Sequence, residues 1–135
     1  MDRETLDALH EARAAEKAQA LFYRGLAAWA EAVGDGEMAE RLNGLHADEQ
    51  HHLSRLTARL LELGEPLADL RGVVAPEAPI RRWEELSRER EREEVERYRA
   101  LLRLALDATT AALVREILGV EEVHEERLGG KWMRA

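Results

Sequence analysis

Two Glu-x-x-His pairs, Glu49–His52 and Glu121–His124, hold the residues best suited to chemistry in this chain. A spacing of three puts carboxylate and imidazole on one face of an α-helix, where both can reach the same metal ion. Two more glutamates, Glu16 and Glu94, fall on the apolar stripes of other helical stretches. Four carboxylates and two imidazoles directed into a helical bundle are the ligand set of a two-metal carboxylate site, most often di-iron. A carboxylate in a dry core needs such compensation, because an unpaired buried charge is costly. Four glutamates neutralise two divalent ions, and imidazole favours iron, manganese, zinc or copper over calcium or magnesium. The expected roles are bridges for Glu49 and Glu121, nitrogen ligands for His52 and His124, and terminal carboxylates for Glu16 and Glu94. Tyr23, two turns after Glu16, and Tyr98, one turn after Glu94, are placed to orient ligands by hydrogen bonding.

Four helical stretches must position these groups. The first runs from about Thr5 to Val33 and stops at Gly34-Asp35-Gly36. The second reaches about Leu63 and stops at Gly64-Glu65-Pro66. Pro79 suits the first turn of the third, which extends to about Leu106. Asp107, Thr109 and Thr110 offer capping chemistry for the fourth, which runs to about Leu128 before Gly129-Gly130. The second stretch has the cleanest stripe: Met38, Leu42, Leu45, Glu49, His52, Leu56, Leu60 and Leu63. The third is crowded with Glu89, Glu91, Glu93, Glu94 and Glu96. There the stripe runs through Glu91, Glu94 or Val95 and Tyr98. Counting from the Asp107–Thr109 turn, from which Glu94 and Glu121 are about equally distant, points to Glu94, with Glu91 a candidate additional ligand.

Two short connections flank a long one, Leu67 to Pro79, whose leucines and valines should pack across the bundle. This predicts one all-α domain over residues 1–135, a four-helix bundle of two antiparallel hairpins joined by a crossover, the ferritin-like arrangement.

Composition narrows the function. A net charge of −8 argues against nucleic-acid binding as the main activity, and no apolar run is long enough for a membrane span. Cysteine is absent, which excludes disulfides, thiol catalysis and cysteine-ligated clusters within this chain. No secretory signal is visible, so the expectation is a cytoplasmic protein.

In Glu16-Lys-Ala-Gln-Ala-Leu-Phe-Tyr23, Glu49-Gln-His-His52 and Glu121-Glu-Val-His124-Glu the chain resembles the ferritin-like di-iron superfamily, and within it the rubrerythrin-like branch. The resemblance covers most of the chain and rests on few residues. It implies a non-haem centre of two iron ions that reduces hydrogen peroxide or reacts with oxygen. Without a cysteine-rich iron domain, electrons would come from an external donor protein or a small reductant. Rubrerythrins carry an additional glutamate on helix three that takes part in a redox-linked iron movement, a role for which Glu91 is the candidate. Manganese or a mixed pair would accept the same ligands. The alternative is a ferroxidase or iron-storage protein, and a further one is a metal-free helical interaction module. The resemblance also suggests a homodimer.

The other polar residues have plainer readings. His51 points off the stripe. His10 and His46 read as solvated surface, as do Glu122, Glu125 and Glu126. The charged run from Arg81 to Arg99 reads as a solvated face of i,i+4 pairs. Trp29, Trp83 and Trp132 read as core or interface packing.

Overall fold

Aspartates start three of the four helices. Asp2 accepts from the Thr5 amide at 2.9 Å, Asp35 from Met38 at 3.0 Å and Asp107 from Thr110 at 2.8 Å. Each satisfies an amide that the first helical turn leaves unpaired. The computed structural model describes residues 1–77 and 80–129. Its helices are α1 (Arg3–Ala32), α2 (Gly36–Glu62), α3 (Trp83–Leu102) and α4 (Ala108–Leu128), with a 3-10 turn at Ile80–Arg82 ahead of α3. Among the described residues there is no strand, and no helix is long and apolar enough to cross a membrane.

Both glycine breakers end their helices by the same device. Gly34 and Gly64 adopt φ of 81° and 76°, and the next amide reaches back to the last turn (Asp35 to Ala30 O, 2.9 Å; Glu65 to Leu60 O, 3.0 Å). α1 packs chiefly on α2, and α3 on α4, giving the expected pair of hairpins. The connection between them is anchored where it leaves α2. Arg13 donates to the Ala68 carbonyl at 3.1 Å, and Leu67 packs on the core. Farther along, Val74 is exposed, so the connection lies across the bundle only in part.

Helix three ends earlier than its sequence suggests. It stops at Leu102, where the amides of Arg103 and Leu104 close tight turns onto Ala100 and Leu101. Leu104 and Leu106 then pack back on the core. Their burial outweighs the helical propensity of the Leu-Ala-Leu run. The expected start at Pro79, the Gly130 stop, Trp132 and the tail lie outside the described residues.

The core is split in two. One apolar cluster joins Phe22, Leu26 and Ala30 of α1 to Ala39, Leu42 and Leu45 of α2 and Leu128 of α4, with Trp29 and Trp83 packed against it. The other joins Leu9, Leu56, Leu60, Leu101, Leu113 and Ile117. Burying each such leucine or isoleucine contributes about 1.5–3 kcal/mol. Along every helix, a buried polar layer lies between the two clusters.

Candidate metal centre

That layer contains Glu16, Gln19, Glu49, His52, Glu91, Glu94, Glu121 and His124, each at most 5% exposed. Six of them converge as two groups. Glu16, Glu49, His52 and Glu121 form one, and Glu49, Glu91, Glu121 and His124 the other, with ligand atoms within 4.8 Å of one another in each. Glu49 and Glu121 belong to both groups, the position a bridging carboxylate needs.

The imidazoles approach through Nδ1. His52 Nδ1 stands 3.5 Å from Glu16, 3.7 Å from Glu49 and 3.4 Å from Glu121. His124 Nδ1 stands 3.5 Å from Glu49, 3.6 Å from Glu91 and 3.4 Å from Glu121. These separations exceed those of well-formed hydrogen bonds. Both oxygens of Glu49 and Glu121, one oxygen each of Glu16 and Glu91, and both Nδ1 atoms are buried without a hydrogen-bond partner. Buried polar atoms are rarely left so. Oxygen and nitrogen donors facing one another across a metal-sized gap fit a pair of borderline divalent ions.

The site has an internal two-fold pattern. Tyr23 of α1 donates to Glu91 of α3 at 2.6 Å, and Tyr98 of α3 donates to Glu16 of α1 at 2.6 Å. Burial holds both phenols well above their ordinary pKa, so each stays protonated and donates. Glu16 matches Glu91, and Glu49–His52 matches Glu121–His124. Gln19, three residues after Glu16, corresponds to Glu94, three after Glu91. Gln19 donates to Glu91 at 3.3 Å and accepts from Arg90 at 2.6 Å.

On helix three the structure brings Glu91 rather than Glu94 into the donor groups. Glu91 stands in the cluster, while Glu94, the expected terminal carboxylate, belongs to neither group; its nearest ion pair is Arg97 at 3.7 Å. Because α3 stops at Leu102, the turn is centred earlier than Asp107–Thr109, and the residue level with Glu121 moves one helical turn back. The sequence carried the signal, since Glu16 and Tyr23 stand seven apart, as do Glu91 and Tyr98. His51 is exposed, as expected. His10 and His46 are partly buried rather than free on the surface. His10 Nε2 lies 2.9 Å from Glu65, and His46 Nδ1 donates to the Ala20 carbonyl at 2.8 Å, tying α2 to α1.

Proton affinities follow from crowding. Burial, then the neighbouring carboxylates, raises Glu49 well above the usual carboxylate range and Glu91 to about 7. Glu94 rises to about 8, through burial and the charge of Glu16. Burial would lower His52, but Glu121 and Glu16 more than offset it and lift it to about 9. Burial likewise opposes the charged form of His124, and Asp48, Glu121, Glu49 and Glu91 overcome it. Burial would raise Glu121, yet the two imidazoles hold it far below its ordinary value. In the metal-free cluster, protons therefore balance the carboxylate charge.

Comparison with known proteins gives one family. The family model described as a ferritin-like domain matches residues 6–131, and the chain belongs to that family. Among solved structures, the Mycobacterium tuberculosis bacterioferritin BfrA superposes with a TM-score of 0.84 at 22% identity, over 96% of this chain and 84% of that one. A ferritin from M. penetrans superposes with a TM-score of 0.81 at 19% identity, over 99% of this chain and 86% of that one. At these identities the likeness shows the fold alone. No curated protein sequence matches the chain.

Proposed function

We propose that this ferritin-like chain binds two iron ions between its four helices and oxidises Fe(II) there, with dioxygen or hydrogen peroxide as the electron acceptor, as an iron-handling ferroxidase. One observation carries the reading: two four-residue donor groups share Glu49 and Glu121, and their inward atoms are buried without partners. The bacterioferritin and ferritin neighbours support it over the rubrerythrin-like reading. In this account Glu49 and Glu121 would be shared by both ions, His52 and His124 would ligate through Nδ1, and Glu16 and Glu91 would be terminal carboxylates. Tyr23 and Tyr98 hold those terminal groups in place, and the apolar clusters on either side exclude water. A bound pair would supply Lewis-acid and one-electron redox chemistry. Manganese, alone or mixed with iron, fits the same donors. A cytoplasmic location and a homodimer belong to the same proposal; sedimentation showing only a 15.3 kDa species would remove the dimer.

Glu94 favours a second reading, reduction of hydrogen peroxide with electrons from an external donor protein. In this second reading the additional helix-three glutamate implied by the rubrerythrin resemblance would be Glu94, with Glu91 among the ligands. It is a fifth buried carboxylate on that layer, with an unpartnered Oε2. Aerobic Fe(II) oxidation and iron uptake separate the readings. Uptake beyond two ions per chain supports iron handling. Donor-dependent peroxide turnover at constant iron content supports the second.

A further inference from the structure

The two-fold pattern is also broken at a polar contact beside the ligands, besides the Gln19–Glu94 mismatch. His124 donates its Nε2 proton to Asp48 Oδ2 at 2.8 Å, while its Nδ1 faces the carboxylates. Asp48 directly precedes Glu49 on α2. The matching position on α4, directly before Glu121, is Val120, whose side chain accepts no hydrogen bond. Among the described residues, His52 Nε2 makes no hydrogen bond. A carboxylate behind a ligating imidazole fixes its tautomer and ring rotation and makes the other nitrogen a stronger donor. His124 has this support, and His52 relies on packing.

Asp48 and His124 line a surface cleft of about 500 Å³ together with Glu37, Glu40, Arg41 and Arg127. His124 is only 4% exposed at its side chain, whereas Asp48 is 53% exposed. The supported imidazole thus borders a cleft with three acidic side chains.

Resting on the two-metal reading above, we infer that Asp48 is a positioning residue that makes the two metal positions inequivalent. The Glu91–His124 position binds more tightly and fills first, and the Glu16–His52 position holds its ion loosely. Glu94 does not reverse the order, since it lies outside both donor groups.

Anaerobic titration of the metal-free protein with Co(II), followed by its visible ligand-field bands and by calorimetry, tests this. Wild type should show two steps. His52→Ala should keep the tighter one, and His124→Ala should lose it. Asp48→Ala should weaken the tighter step by about 10- to 100-fold and merge the two, with Asp48→Asn intermediate. Val120→Asp, which gives His52 the missing partner, should tighten the weaker step, and Glu94→Gln should leave the order unchanged. Far-ultraviolet circular dichroism checks that each variant is folded. Two equal steps in wild type, or unequal steps unaffected by both Asp48→Ala and Val120→Asp, would overturn this inference and leave the two-metal reading intact. No Co(II) binding in wild type would overturn both.

Discussion

Replacing Glu94 by glutamine removes one ionisable group from the bundle interior with little change of shape. The side chain is buried, its Oε2 has no partner, and Arg97 stands 3.7 Å away. Burial first, and then the charge of Glu16, raises its pKa from 4.5 to about 8. Because the folded value lies above the unfolded one, its contribution to stability is complete below about pH 4.5. That contribution is lost as pH climbs toward 8. The gap corresponds to at most about 5 kcal/mol, at roughly 1.4 kcal/mol per pH unit. Relaxation and water penetration reduce such figures, so about 2–5 kcal/mol is expected. Metal-free wild type and Glu94→Gln should unfold in urea with stabilities within about 1 kcal/mol at pH 5. At pH 8 the variant should be more stable by that larger amount. A difference that stays constant between the two pH values would refute the reasoning, because it would mean that Glu94 does not carry a proton in the folded interior.

Metal binding should release protons, since Glu91 (about 7) and His52 (about 9) must shed theirs to ligate. Apparent affinity should therefore rise from pH 6 to 9, and calorimetry in buffers of different ionisation enthalpy counts the protons; an affinity flat with pH would contradict this. Tyr98→Phe leaves the buried Glu16 Oε1 without its hydrogen-bond donor, which should cost about 1–3 kcal/mol in denaturant unfolding. After Tyr23→Phe the Gln19 amide still donates to Glu91 Oε1, so the smaller loss is expected there. Leu56→Ala should destabilise by about 2–5 kcal/mol, because this fully buried side chain joins the core cluster beside the polar layer. Asp107→Ala should cost about 1 kcal/mol through loss of the cap on Thr110, measured by the same unfolding experiment.

The hairpins were legible because Gly34, Gly64 and the capping aspartates are local signals, each acting within a few residues. The α2 stripe was legible because its apolar residues recur without competition. α3 was harder. Its stripe through Glu91, Glu94 and Tyr98 is legible, but the run of alternating glutamates and arginines leaves open which glutamate is the ligand. The seven-residue spacing of Glu91 and Tyr98 is the local signal that bears on it. Counting from Asp107–Thr109 places Glu94 level with Glu121, whereas Leu104 and Leu106 fold back on the core and move the turn toward Leu102. Asp48 went unnoticed in sequence because its partner, His124, is 76 residues away. His46 was read as surface for a related reason, since its partner is a backbone carbonyl on another helix.

Iron content per chain tests the dinuclear centre most directly. After anaerobic loading with Fe(II) and desalting, elemental analysis should find about two iron ions per wild-type chain. A Glu49→Ala/His52→Ala variant, which lacks one bridge and one imidazole, should retain at most one. Wild type that retains no metal, or a double variant that retains as much as wild type, would contradict the account and leave protons as the counter-charge of the buried acids.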